Sequence, residues 1–296
     1  MSKPRYPIYI ISKGRAKTCL TADMFIREKI PFKLVIEPQE FEDYAAIYDE
    51  KILVKLPFSN LGLGGIPARN WVWQDAKKSG AARHWIWDDN IRGTMYWWKG
   101  RRTRVSANLA ISSVEEFVDR YENIAIAGMN YDTFVFSSTT PYVKNCRVYS
   151  NLLIRNDLPF EWRGRYNEDT DLCLQVLSAG WATVLFNAFM IMKMHTMAMK
   201  GGNTEQLYSG DGRLEMARSL ERQWPGVVEV KRKFKRPQHH IKKAWRQFDT
   251  PLIRRKDIDW EEIKSKKVNM KLIEKQDVKS QHLQKVVKAY NQKAKD

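Results

Sequence analysis

Through about the first 200 residues, short apolar runs that break at Gly, Ser or Asn alternate with helically spaced stretches, and this alternation restricts the fold more than any other feature. Ile8 to Ile11 is a β-branched and aromatic run that opens onto Ser12-Lys13-Gly14-Arg15, as a buried strand opening onto a loop would. Thr18 to Glu28 then has helical apolar spacing, Phe32 to Ile36 reads as a second strand, Phe41 to Tyr48 as a helix, and Lys51 to Leu56 as a third strand. Strands and helices in strict alternation imply an α/β fold with a largely parallel sheet, whose ligands lie at the carboxyl ends of the strands.

The next features fall where such a sheet would hold a ligand. Asn60-Leu-Gly62-Leu-Gly64-Gly65-Ile-Pro67 leads into a helix from Ala68 through Arg69 and Asn70 to Lys78. Gly64 and Gly65 let backbone approach a ligand closely, Pro67 suits a first helical turn, and a helix N-terminus attracts anions. The loop is neither a P-loop nor a GxGxxG turn. His84-Trp-Ile-Trp-Asp88-Asp89-Asn90 follows, a tryptophan-rich strand ending in two acids. Oxygen ligands at a strand end suit a hard divalent cation such as Mg²⁺ or Mn²⁺ held over a diphosphate, although Asp and Asn also close ordinary turns.

A third constellation runs from Phe160 through Gly164-Arg165-Tyr-Asn-Glu168-Asp169-Thr-Asp171 into a helix that ends near Ala179-Gly180. Carboxylates at a helix start are favoured by the helix dipole, and adjacent Glu168 and Asp169 are also placed to aim a base into a cleft. A strand from Ala182 to Phe186 comes next, then the apolar run Met190 to Met194 that ends at His195, a core histidine or a metal ligand. Met197 to Gly212 is glycine-rich and suits a lid or a linker.

The chain carries a formal net charge of +17, which points to a polyanionic partner, nucleic acid first. Lys231, Arg232, Lys233, Lys235, Arg236, Lys242, Lys243 and Arg246 crowd one segment, with Phe234, Trp245 and Phe248 among them. Cations interleaved with aromatics suit phosphate contacts and base stacking. A second such segment, Arg92 to Arg104, holds Tyr96, Trp97 and Trp98 beside Lys99, Arg101, Arg102 and Arg104, either as a loop gating an acceptor or as a hairpin whose tryptophans pack. No apolar run approaches the roughly 20 residues of a membrane span, and Met-Ser-Lys-Pro-Arg-Tyr-Pro lacks the apolar stretch of a secretory signal. The three cysteines form no CxxC pair or disulfide framework, so a reducing cytoplasm is expected.

Taken together, these motifs resemble the GT-A glycosyltransferases, and more closely the phage-encoded TET-associated glycosyltransferase family, implicated in glycosylating 5-hydroxymethylpyrimidines in DNA. The resemblance runs from about Pro7 to Asn203. It implies a GT-A, Rossmann-like mixed central sheet flanked by helices over residues 1–212, with residues 213–296 as a basic, mainly helical, DNA-binding region. It further implies a UDP-sugar donor bound by Ser12, Arg15, Gly64, Gly65, Arg69, Asn70 and Asp88, and a divalent metal, Mn²⁺ or Mg²⁺, held by Asp88, Asp89, Asn90 and His195. Asn90 departs from the aspartate common at the third position of the family's motif. Asp169 matches the base of inverting members, with Glu168 beside it, and the acceptor would be 5-hydroxymethylcytosine in DNA inside a bacterial host. Other readings are a GT-A enzyme acting on a glycan or protein, and a non-catalytic nucleic-acid-binding protein on the same scaffold.

Overall fold

Strand β1 (Ile8–Ile11) and strand β4 (Arg83–Asp88) lie side by side in parallel at the centre of the sheet, and their side chains alternate between its two faces. Ile8, Ile10, Trp85 and Trp87 enter one apolar layer, while Tyr9 and Ile86 enter the other. The computed structural model describes residues 3–98, 100–136, 139–194, 212–233, 236–242 and 247–265. Its main sheet has ten strands in the order β3-β2-β1-β4-β9-β7-β10-β5-β6, with β8 paired to β10. The remaining strands are β2 (Lys33–Ile36), β3 (Leu53–Lys55), β5 (Ile91–Trp98), β6 (Arg101–Val105), β7 (Ile124–Tyr131), β8 (Tyr142–Lys144), β9 (Asn151–Arg155) and β10 (Ala182–Lys193). Strands β1 to β4 pair in parallel, as do β7 and β10, whereas β9 is inserted antiparallel between β4 and β7. The sheet is therefore mixed, as the resemblance implies.

Helices α1 (Leu20–Arg27) and α4 (Ala107–Val118) cover one face, packing Met24, Phe25, Val114 and Phe117 on the two tryptophans. Helices α3 (Ile66–Lys78) and α5 (Glu168–Ser178) cover the other with Val72, Trp73, Leu172 and Val176, and the short α2 (Phe41–Ala45) packs beside β3. Burying one large side chain of this kind is worth about 1.5–3 kcal/mol. His84 lies within the second layer, fully buried, with Nδ1 on Asn156 Oδ1 at 2.5 Å and Nε2 without a hydrogen-bond partner among the described residues.

Burial depresses the pKa of His84 from 6.5 to about 4. Unfolding frees the imidazole to take a proton below its ordinary pKa, so the unfolded state binds more protons between pH 6.5 and 4, and stability falls as pH falls through that window. At about 1.4 kcal/mol per pH unit, the full loss from this residue is about 3 kcal/mol by pH 4. Denaturant unfolding at a series of pH values should show that slope and lose it in His84→Asn. An unchanged slope in the variant would assign the acid sensitivity elsewhere.

Two expectations are corrected. The described basic residues of Val228–Lys233 and Arg236–Ile241 are not helical: they form an antiparallel hairpin of β11 (Val228–Lys233) with β12 (Arg236–Ile241), after helix α6 (Gly212–Gln223). Val228-Glu-Val230 alternates with period two, and Val228 seats on Leu174 and Leu220 beneath it. Arg92 to Arg104 is not a loop either, because β5 and β6 turn at Gly100 (φ +76) and add to the main sheet through β10.

Beyond the hairpin, residues 249–255 run back across the sheet as a strap. Asn123 donates to the carbonyl of Pro251 (2.8 Å) and accepts from the amide of Ile253 (2.8 Å), Asn145 donates to the carbonyl of Thr250 (2.7 Å), and Arg254 bridges to Tyr121. Trp260, opening helix α7 (Trp260–Ser265), packs on Tyr121 with ring centroids 5.5 Å apart.

Candidate active site

Period two decides what the Asp-Asp-Asn motif does. Even-numbered residues of β4 face helices α3 and α5, so Asp88 points there; Asp89, one residue on, belongs with Trp85 and Trp87 on the opposite face. Asp89 is 5 % exposed, and both of its oxygens are engaged: Oδ2 accepts from Ser12 Oγ at 2.8 Å and Oδ1 from Arg15 Nη1 at 2.5 Å. Ser12 is equally buried and also bonds Tyr44 Oη at 2.7 Å. Ser12, Arg15 and Asp89 thus brace the loop after β1 from below. Asn90 sits in the turn into β5 with Oδ1 buried and without a hydrogen-bond partner among the described residues.

Asp88 opens onto a cluster of alternating charge. Its Oδ2 accepts from Lys193 Nζ at 2.5 Å, and its Oδ1 lies 3.4 Å from Arg69 Nη2. Arg69, in the first turns of α3, also lies 3.6 Å from Glu168 and stacks over Trp162 at 4.7 Å. Asn70 fixes that ring in place, since its amide donates to the Trp162 carbonyl (2.8 Å) and accepts from the Trp162 amide (2.9 Å). Burial alone would raise the Asp88 carboxyl, but Lys193 and Arg69 hold it below the usual carboxylate value. Glu168 goes the other way: burial raises it more than Arg69 lowers it, and neighbouring Asp169 adds to the rise.

Helix α5 starts at Glu168 after Asn167, whose φ of +55 turns the chain sharply. Asp169 Oδ1 accepts from the amide (2.7 Å) and hydroxyl (3.2 Å) of Thr170, and its second oxygen has no hydrogen-bond partner among the described residues. Asp171 has a different task, tying down Arg163 (2.9 Å), Gln175 (2.7 Å) and Trp224 (2.7 Å) from a buried position. Two residues absent from the sequence reading are coupled electrostatically to Asp169. Arg147 stacks on Tyr149 (4.7 Å), and although burial lowers its pKa, Asp169, Tyr149 and Tyr131 raise it above the ordinary value. His239 of β12 feels both Arg147 and Asp169, and burial depresses it to about 4, so it is neutral near pH 7.

The Gly-rich loop stands where the sequence places it. Gly62 and Gly64 have φ of +69 and +65, values that favour glycine, and Gly65 caps α3. A cavity of about 60 Å³ lies between this loop and the Lys13–Glu37 pair (2.8 Å). A larger cavity of about 990 Å³ opens at the amino end of β4, lined by Arg83, Arg155 and Asn156, and holds none of the candidate residues.

Aromatic side chains lead from Lys193 to the β5–β6 hairpin. Tyr131 lies 3.4 Å from Lys193 Nζ and packs on Phe134 (5.6 Å), Phe134 and Phe136 are 55 % and 57 % exposed, and Arg102 lies over Phe136 at 6.0 Å. Arg101, Arg102 and Arg104 are exposed, with Trp97 and Trp98 half-buried across from Arg102 and Arg101. Lys231, Arg232 and Arg236 are exposed on the second hairpin, Lys242 is half-buried, and β11 ends at Lys233. Lys99, His195, Lys235, Lys243, Arg246 and most of the expected lid, 197–211, lie outside the described residues.

A divalent ion does not fit the described residues as they stand. Asp88 and Asp89 face opposite ways, the oxygens of both are already held by cationic or hydroxyl donors, and among the described residues no three His, Cys, Asp or Glu side chains come together. The expected convergence of Asp88, Asp89 and Asn90 on one ion is replaced by two separate ion-pair networks. Among the described residues, Asp88 pairs with both Arg69 and Lys193, and Glu168 with Arg69.

Carboxylates and cations gather at the carboxyl ends of β4 and β10, next to a Gly-capped helix start, and the chain is a glycosyltransferase. The chain belongs to the TET-Associated Glycosyltransferase family, whose profile matches residues 6–202. No curated protein matches the chain. Among solved structures it is similar to one described as a nucleotide-diphospho-sugar transferase of Desulfovibrio desulfuricans G20, at 10% identity and a TM-score of 0.35, covering 61% of this chain and 79% of that one. It is also similar to mannose-6-phosphate isomerase of Helicobacter pylori, at 8% identity and a TM-score of 0.28, covering 85% and 94%. Neither likeness bears on the activity. Among the described residues no helix is long and apolar enough to cross a membrane.

Proposed function

We propose that the protein transfers a sugar from a UDP-sugar, glucose by default, to the hydroxymethyl group of 5-hydroxymethylcytosine in DNA, with inversion, in the cytoplasm of a bacterial host. The observation that favours the DNA acceptor is a pair of exposed basic hairpins among the described residues, β5–β6 with Arg101, Arg102 and Arg104, and β11–β12 with Lys231, Arg232 and Arg236. Side chains lead from the β5–β6 hairpin to Lys193 through Arg102, Phe136, Phe134 and Tyr131. Residues 213–296 act with the first hairpin in gripping phosphates.

In this reading Gly64, Gly65 and the start of α3 border the donor, and Arg69 meets its diphosphate. Asp169 takes the proton of the acceptor hydroxyl as that oxygen attacks the anomeric carbon opposite the departing UDP. Glu168 keeps Arg69 in line. A divalent ion, Mn²⁺ or Mg²⁺, enters only as a competitor of Lys193 for Asp88. A target base inside a duplex must be flipped out at a cost of a few kcal/mol. Exposed Phe134 and Phe136, with Trp97 and Trp98, supply the stacking that offsets it.

Nucleoside mass spectrometry of 5-hydroxymethylcytosine DNA after incubation with a panel of UDP-sugars tests the reading. A hexose or N-acetylhexosamine mass on the modified cytosine is the expected result; UDP release with no mass on DNA would favour a glycan or protein acceptor, and no UDP release with tight DNA binding a non-catalytic protein. In Phe134→Ala/Phe136→Ala, transfer to DNA should fall by about tenfold or more, from stacking worth roughly 1–3 kcal/mol per base. Hydrolysis of the UDP-sugar in water should hold, and equal loss of both would mean that the rim only packs.

A further inference from the structure

We propose that Lys193 binds the donor diphosphate and supplies from within the protein the positive charge that a divalent ion would bring, so that transfer proceeds without a metal. The proposal rests on the glycosyltransferase reading of the cleft and deepens it.

A lysine near the end of a buried strand is costly unless it is paired, and Lys193 is paired with unusual completeness. The side chain is 14 % exposed, and its ammonium lies 2.5 Å from Asp88 Oδ2, 2.7 Å from Ser150 Oγ and 3.4 Å from Tyr131 Oη. One carboxylate and two hydroxyls thus converge on the ammonium.

The surroundings are built to keep that ammonium in place. Ser150 has a φ of +64, a left-handed backbone that a non-glycine residue adopts at some cost, and its hydroxyl also meets Tyr131 Oη at 2.6 Å. The pairing of β10 with β5 is irregular between Met192 and Lys193, and irregularities of this kind re-aim side chains. Strain and a register shift thus coincide at the lysine that pairs with Asp88.

Its position is the one a metal would need. An ion bound by Asp88 would have to displace the ammonium or lie beside it, and Asp89 is turned away with Arg15 and offers no second carboxylate. Lys193 and Arg69 flank Asp88 on its two oxygens, and an arriving diphosphate meets both cations at once. Tyr131, the longest of the three contacts of Lys193, is the one a phosphate oxygen replaces.

In the reaction the acceptor oxygen forms a bond to the anomeric carbon, and the bond from that carbon to the diphosphate oxygen breaks. The electron pair stays on UDP, and the acceptor proton goes to Asp169. Lys193 gives up no proton; its charge offsets the one that develops on the leaving oxygen.

The test is UDP binding by calorimetry and UDP release from a UDP-sugar, each in EDTA and in Mg²⁺ or Mn²⁺, for the wild type, Lys193→Met and Lys193→Arg, with circular dichroism to check folding. In EDTA the wild type is expected to bind UDP within about threefold of its affinity with metal. Lys193→Met should weaken binding about tenfold and slow turnover about a hundredfold, and Lys193→Arg should recover much of both. UDP binding by the wild type only when metal is present would overturn the proposal, as would a folded Lys193→Met that binds UDP normally in EDTA. If the wild type binds no UDP under any condition, the donor reading beneath the proposal fails as well, an outcome distinct from metal-dependent binding.

Discussion

Asp169→Asn should reduce sugar transfer by about a thousandfold or more while leaving UDP affinity within a few-fold of the wild type. Asparagine keeps the bond from the Thr170 amide to its Oδ1 but can no longer take a proton from an acceptor hydroxyl. Asp169 holds one oxygen on Thr170, and its second oxygen has no hydrogen-bond partner among the described residues, as a base that receives an acceptor proton requires. Steady-state kinetics with DNA acceptor and a separate UDP-binding measurement distinguish loss of the base from loss of the site. Glu168→Gln in parallel should weaken UDP binding through Arg69 more than it slows turnover, because Glu168 pairs with Arg69 at 3.6 Å. If Asp169→Asn retained wild-type turnover, another group would be the base and the assumption of inversion would lose its support.

Gly128→Ala is expected to cost the fold at least about 3 kcal/mol and to lower or abolish soluble expression. A Cβ on Gly128 would stand 2.1 Å from the carbonyl oxygen of Asn151 and 2.6 Å from Val148 Cγ1, and the first of these is backbone that has nowhere to move. At this junction β7 and β9 are sewn together by Asn151, whose side chain accepts from the Met129 amide (2.7 Å) and donates to the Met129 carbonyl (2.8 Å). Pushing β9 away from β7 would also drag Ser150, and with it the seat of Lys193. A thermal shift of several degrees or more is the readout, and a variant as stable as the wild type would mean that the two strands separate more easily than this packing implies.

Much of the frame was legible because it follows from local rules. Periodicity found β1 to β4, α1 and α3 to within a few residues, and the glycines before α3 announced a turn that only glycine adopts readily. Even the parting of Asp88 from Asp89 was written in the sequence, since Trp85, Trp87 and Asp89 share one parity and Ile86 and Asp88 the other. Reading the motif as a cluster hid what reading it as a strand reveals. Lys193 left a fainter mark, a single charge inside the apolar run from Met190 to Met194.

Other parts had no local signature. The insertion of β9 between β4 and β7 depends on pairings between distant segments, and so does the electrostatic coupling of Arg147 and His239 to Asp169. The basic segment was read by its charge, which says nothing about periodicity; the alternation in Val228-Glu-Val230 was the signal that favoured strand over helix.

The strap through Pro251 and Ile253 also has a consequence for the order in which the chain is made. Asn123 and Asn145 leave the ribosome more than a hundred residues before Pro251 and Thr250, the carbonyls to which they donate. During synthesis the two side-chain amides face water or chaperones, and the edge they border closes only when the strap arrives. A nascent chain halted before Thr250 would therefore display its own incompleteness at two fixed points. The strap acts as a late seal on the sheet, so that the last part of the described chain serves its assembly.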